Sequence, residues 1–184
     1  MKNTFLAVAI AAVAGLSGMV PRAMAAPGDN TTFNMVRAAG ATCLSNKARG
    51  RVTISDLGPV QNMHVEVSGL TPNNDFTLFV TQHSSRPFGI SWYQGEISTD
   101  KKGNGVGDFT GIFSPETFVL DNGAVKMNHV AMWVADPQDA ANAGCAGMST
   151  PFDGDGVAGI LVLSTENFPD DKGPLQRLGA NDDE

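Results

Sequence analysis

Between Met63 and Ser68 the chain alternates residue by residue: Met63, Val65 and Val67 fall on one side, and His64, Glu66 and Ser68 on the other. The same period returns over Asp75–Thr81, where Phe76, Leu78 and Val80 oppose Thr77, Phe79 and Thr81. Successive side chains of an extended strand point to opposite faces, so this pattern places one face in a core and leaves the other wet, as in antiparallel sheets. Further extended runs cover 50–55, 90–98, 106–113, 116–120, 127–135 and 157–164. From residue 49 onward Gly, Pro, Asn and Asp punctuate the chain about every eight to twelve residues, the spacing of an all-β sandwich or barrel. The pattern predicts an all-β fold, an antiparallel β-sandwich of seven to nine strands.

Between two of these runs, Asp100-Lys101-Lys102-Gly103-Asn104-Gly105 reads as a hairpin connection, because Gly and Asn tolerate the positive φ of tight turns. One short segment, 136–143, carries helix signals: Pro137 suits the first helical position and Gly144 the stop. The polar segment 167–184, ending Asn181-Asp182-Asp183-Glu184, reads as a flexible acidic tail. The expected organisation is a leader over 1–25, an N-terminal segment with Cys43 over 26–48, the β-sandwich over 49–166 and the tail.

The leader rests on three features. Lys2 gives a charged start, residues 5–20 are apolar, and Ala23-Met24-Ala25 places small residues where a signal peptidase reads, so cleavage is expected after Ala25 or Ala26. The apolar run is shorter than the ~20 residues a membrane span needs, and Pro21-Arg22 closes it, which predicts no membrane anchor after cleavage. Removing 25 residues from 184 leaves 159, and losing Lys2 and Arg22 takes the net charge from −7 to −9. An acidic chain without clustered Lys and Arg lacks the footprint for nucleic acid. The expected location is secreted, extracellular or periplasmic. In such a compartment Cys43 and Cys145, which sit in no metal-ligand spacing, are expected to pair. Asn30-Thr31-Thr32 matches the glycosylation pattern.

No Gly-x-Ser-x-Gly elbow occurs, and no carboxylate pair can be assigned as general acid and base from spacing. The sequence therefore predicts no catalytic residue and no cofactor. His64 and Glu66 lie on one strand face, about 7 Å apart at ~3.4 Å per residue, and with His129 form a candidate metal set. Asp153-Gly154-Asp155-Gly156 resembles the start of a calcium loop, but the twelfth position from Asp153 is Ser164 where an EF-hand needs Glu. Asp100, Asn104 and Asp108 are rival oxygen ligands. The strand phase also turns Phe79 and Trp133 outward with one of the pair Trp92 and Tyr93, giving either an aromatic platform for a sugar or protein partner or a second apolar layer beneath a loop or helix.

At Gly69-Leu70-Thr71-Pro72-Asn73-Asn74-Asp75-Phe76-Thr77-Leu78-Phe79-Val80 the chain resembles the fibronectin type III and immunoglobulin-like sandwiches, in which a Leu-x-Pro turn feeds a strand that opens on a corner tyrosine. Phe76 stands at that tyrosine's place, so the corner hydroxyl is missing. The stretch from Pro87 to Gly95, with Thr99-Asp100 and Gly105 to Phe113, resembles uncharacterised exported bacterial proteins. The resemblance implies an Ig/fibronectin-like architecture and no particular activity. Together these readings lead to an exported, non-catalytic interaction or structural module with an unknown protein or glycan partner. The alternatives are a metal-binding protein or small metalloenzyme using His64, Glu66 and His129, and carbohydrate binding through exposed aromatics.

Overall fold

The structure, a computed structural model, describes residues 30–113, 118–120, 123–145, 149–151 and 156–179. The leader, Asp153, Asp155 and residues 180–184 lie outside the described residues. Twelve strands follow in chain order: β1 (Thr31–Arg37), β2 (Arg49–Asp56), β3 (Gln61–Ser68), β4 (Asp75–Thr81), β5 (Ser91–Ser98), β6 (Gly105–Gly111), β7 (Phe118–Leu120), β8 (Gly123–Val125), β9 (His129–Val134), β10 (Thr150–Pro151), β11 (Val157–Ala158) and β12 (Leu161–Ser164). One helix, α1 (Pro137–Asn142), follows β9, and a 3₁₀ turn spans Pro174–Gly179. Asp136 caps α1 by accepting from the Gln138 N–H, Pro137 opens it and Gly144 ends it at φ 71°, as the local signals predict.

Eight strands share one antiparallel sheet in the order β5-β4-β9-β12-β1-β2-β3-β6; β7-β8 and β10-β11 are separate two-stranded pairs. The all-β antiparallel class and the lone helix hold. Two facing sheets are not seen, because one continuous ladder joins all eight strands and curls into a nearly closed barrel. Its edges are β5 and β6, the strands joined by the turn at Asp100. No ladder links them among the described residues; instead β6 pairs with β3. Glycines allow the edges to approach. A Cβ on Gly107 would lie 2.8 Å from Ile97 Cγ1, and one on Gly95 would lie 2.6 Å from the Phe109 ring. An extra residue on β5, between the pairs Leu78–Gly95 and Phe79–Tyr93, bulges the strand at this seam.

The interior is filled by the apolar phase of each strand: Phe33 and Met35, Val52 and Ile54, Met63, Val65 and Val67, Phe76, Leu78 and Val80, Ile97, then Val130, Met132 and Val134. Sheet closure therefore turns the two-residue period into a single core. Two corrections to the expected organisation follow. The sheet starts at Thr31, since β1 pairs with both β2 and β12. The segment 167–179 is no loose tail: Leu175 is fully buried in the interior cluster, and Phe168 packs edge-on against Phe33 at 6.3 Å. At the opposite end Ala38, Ala41 and Leu44, from the loop after β1, join the core with Ala140 of α1. The Cys43–Cys145 disulfide forms as expected, tying that loop to the exit of α1.

Candidate functional site

β9 has all six residues buried. Its inner phase faces the barrel. Its outer phase, His129, Ala131 and Trp133, would meet water in a bare sheet, so something must cover it. The cover comes from three places: the loop between β4 and β5, the β10-β11 pair, and the segment after β12.

Over the upper part of this face Phe79, Ala131, Trp133 and Ala158 form a second apolar cluster, with Phe88 and Leu161 against it. Trp133 stands edge-to-face with Phe79 at 5.4 Å and with Phe88 at 5.1 Å, while Phe79 meets Tyr93 at 5.5 Å. Such T-shaped contacts suit the ring quadrupoles and fix the cluster's geometry. Of the four candidate platform aromatics, Phe79 and Trp133 are thereby corrected as ligand-facing residues and follow the alternative of a covered apolar layer: Phe79 is 6% exposed and Trp133 1%. They do point away from the barrel, but Phe88 and the short β11 strand roof them, making a second hydrophobic layer. The other two are both open, Trp92 at 55% and Tyr93 at 50%. The β5 bulge lies just beyond them, where the register against β4 shifts.

Beside this cluster opens a cleft of about 1500 Å³. Its floor includes Thr77, Phe79 and Trp133, its rim includes Trp92, Tyr93 and Val157, and Arg86 sits at one wall. Arg86 donates from Nη2 to Thr150 Oγ1 at 2.7 Å, and its guanidinium lies 5.8 Å from the centre of the Phe88 ring, a cation–π arrangement. It is the one charged side chain among the described lining residues. The Thr77 hydroxyl is buried in the floor without a hydrogen-bond partner among the described residues. Burial, reinforced by the nearby Glu96 carboxylate, raises the Tyr93 pKa, so its phenol stays protonated at neutral pH and is available as a donor. Sequence reasoning misses Arg86, Phe88 and Thr150. The usable signal is Arg86-Pro87-Phe88 itself, a cation and an aromatic flanking a proline in the loop after β4.

The lower part of the same face carries a polar knot. The Asp170 carboxylate accepts from the Ser84 N–H at 2.8 Å and bonds the His83 ring at 2.6 Å, while the Asp170 carbonyl accepts from His129 Nε2 at 3.0 Å. Because a carbonyl only accepts, His129 carries its proton on Nε2, and Nδ1 receives the Thr165 hydroxyl at 2.9 Å. Burial holds the His129 pKa below its usual value, with the Asp170 contacts working the other way. The Ser84 amide, more than His83, holds the Asp170 carboxyl below the usual carboxylate range. Ser84 bonds to Asp170 and not to a histidine, so this cluster is a clasp for the C-terminal segment and lacks a serine activated by a base.

The candidate metal set is not brought together. His64 and Glu66 stand on the outer face of β3, and three strands separate β3 from β9 along the sheet. His64 bonds Asp108 at 2.8 Å, an aspartate that Asn62 also reaches; these bonds, His64 first, lower the Asp108 pKa. His129 has both ring nitrogens engaged on the far wall. Among the described residues no group of three or more His, Cys, Asp or Glu side chains converges as a metal site. Asp100 and Asn104 belong to their own turn, where Asp100 accepts the Lys102 and Asn104 amides; those bonds, Asn104 first, lower its pKa. Asp108 is across the sheet with His64. Asn30 lies exposed at the mouth of β1. No helix among the described residues is long and apolar enough to cross a membrane. Comparison with known proteins finds no family model that matches the chain and no curated protein that matches it.

Proposed function

We propose that this chain is an exported, non-catalytic β domain that binds its partner through the aromatic cleft on the outer face of β4 and β9. The observation that carries the reading is the cleft itself: a preformed concavity, apolar in its floor, with a few polar groups at its walls, which is the composition of binding sites in general. Its described lining offers a guanidinium and hydroxyls but no nucleophile paired with a base. Export is supported by the leader pattern of residues 1–25 and by a disulfide, a cross-link that oxidising compartments preserve. The likeness to fibronectin and immunoglobulin domains enters as an analogy of presentation: a rigid β scaffold carries loops, here 82–90 and the β10-β11 pair, that shape a site.

Two measurements test it. Expressed in a bacterial host with its own leader, the protein is expected outside the cytoplasm, starting at Ala26 or Pro27; retention with Met1 in place sinks the export half. Incubated with hydrolase substrate panels, the purified protein is expected to turn nothing over, and reproducible turnover lost in a cleft variant overturns the non-catalytic half.

A further inference from the structure

We infer that the cleft takes a planar aromatic ring bearing a carboxylate or similar anionic group, the ring lodged against the half-exposed Tyr93 at the rim, above the covered Phe79–Trp133 pair, and the anion held by Arg86. This inference rests on the reading of the cleft as a binding site and assigns its ligand class.

Three observations converge. First, the open Tyr93 ring is held edge-to-face by the buried Phe79, itself fixed by Trp133 and, beyond it, Phe88, so an incoming flat ring meets an aromatic surface already held in place and little side-chain entropy is lost on binding. Second, Arg86 has no carboxylate partner among the described residues, and Thr150 takes one of the five N–H donors of its planar fork. The Phe88 ring and the Thr150 hydroxyl hold the guanidinium at the cleft wall, where the fork geometry matches a carboxylate. Third, the one charged side chain among the described lining residues is a cation, set beside apolar rings. Beside an apolar wall that charge acts through a lower effective dielectric than it would in open water. A neutral sugar fits less well: its vicinal hydroxyls call for carboxylate or carboxamide partners, and the described lining side chains include neither.

The test uses the purified, disulfide-bonded protein and a matched pair of probes, 2-naphthoate and the neutral 2-naphthamide. The chain has two tryptophans, one at the rim and one in the floor, so two indole N–H signals report the cleft directly in a nitrogen–proton correlation spectrum. Naphthoate is expected to shift both signals and to bind at least about tenfold more tightly than the amide, the scale of one charge-assisted contact. Arg86→Gln is expected to erase that preference. Arg86 is exposed, so the fold should persist, which the rest of the spectrum checks. As an independent variant, Val157→Asp places a negative charge on β11, the strand paired with the Thr150 strand that holds Arg86, and is expected to weaken the acid's binding while leaving the amide's unchanged. Equal affinity for the two probes, binding of neither, or a preference that survives Arg86→Gln overturns the ligand class. Binding of saccharides alone also overturns it while leaving the binding-module reading standing; substrate turnover would sink that reading whatever the probes do.

Discussion

Two single residues show how tightly local geometry constrains this fold. Gly103 closes the turn between β5 and β6 at φ 75°, and a Cβ there would lie 2.1 Å from the Leu70 carbonyl oxygen. Backbone cannot yield as a flexible side chain does, and the left-handed conformation adds its own penalty for an L-residue. Gly103→Ala is therefore expected to cost about 2 kcal/mol or more, read as a drop in the urea midpoint. Thr77 presents the opposite case. Its hydroxyl is buried without a partner among the described residues, so the fold carries a desolvation cost with no hydrogen bond to offset it. Thr77→Val keeps the β-branched shape on β4 and removes the orphan oxygen, and is expected to raise stability by up to about 1 kcal/mol. A destabilised Thr77→Val protein would mean that the oxygen has a partner in solution.

At the scale of elements, the segment after β12 is held by the clasp of His83, Ser84, His129 and Asp170, and the clasp has a pH signature. The His129 pKa is lowered in the folded state, so below about 6.5 the unfolded chain takes up a proton that the folded chain refuses. Stability at neutral pH is thus at its full value with respect to this group and falls as pH drops from about 6.5, by no more than about 1.4 kcal/mol per pH unit for one proton. Asp170, whose pKa is also lowered, adds a second loss at more acidic pH, within the carboxylate range. Urea midpoints between pH 8 and 5 are expected to decline in the native protein and to be flatter in His129→Gln; identical slopes would remove His129 from the account. The same clasp marks where sequence stops being readable. β4 is legible in its inner phase, since Phe76, Leu78 and Val80 recur at a period of two and all prove buried, but not in its outer phase, where Phe79 and Thr81 are buried as well. The outer phase of β9 is legible as outward-pointing but not as covered, since nothing local to His129, Ala131 and Trp133 announces Phe88, which lies far upstream of the Trp133 it touches, or Asp170, far downstream of His129. β1 hides beside the leader, although Phe33 and Met35 alternate with Thr32 and Asn34 and both prove buried. The polar composition after Asn167 reads as a tail because composition cannot show that Leu175 completes the barrel's end. Half of the cleft was within reach in the same sense: Trp92 and Tyr93 are visible as a pair, whereas Arg86 gains its position only once Thr150 and Phe88 are folded beside it.

For the whole molecule the governing fact is that one sheet curls until its edges approach, and strands distant in sequence have to be registered together before the core forms. β1 lies between β2 and β12, so the start of the described chain is locked beside its last strand. Such non-local pairing carries a large chain-entropy cost. The disulfide acts on that cost: it links the loop after β1 to the exit of α1 across 102 residues, the span containing β2 to β9. Constraining a loop of that length in the unfolded chain stabilises the fold by up to about 4.7 kcal/mol in the chain-entropy model. The Cys43→Ser, Cys145→Ser double variant is expected to lose a large part of this, with a lowered urea midpoint and one cooperative transition, because the end plug of Ala38, Ala41, Leu44 and Ala140 shares the barrel's core and does not stand as a unit of its own. Two separated transitions would show instead that the plug and barrel unfold independently. A midpoint unchanged by the double substitution would mean that the barrel closes without help, and the dependence on an oxidising compartment would lose its physical basis.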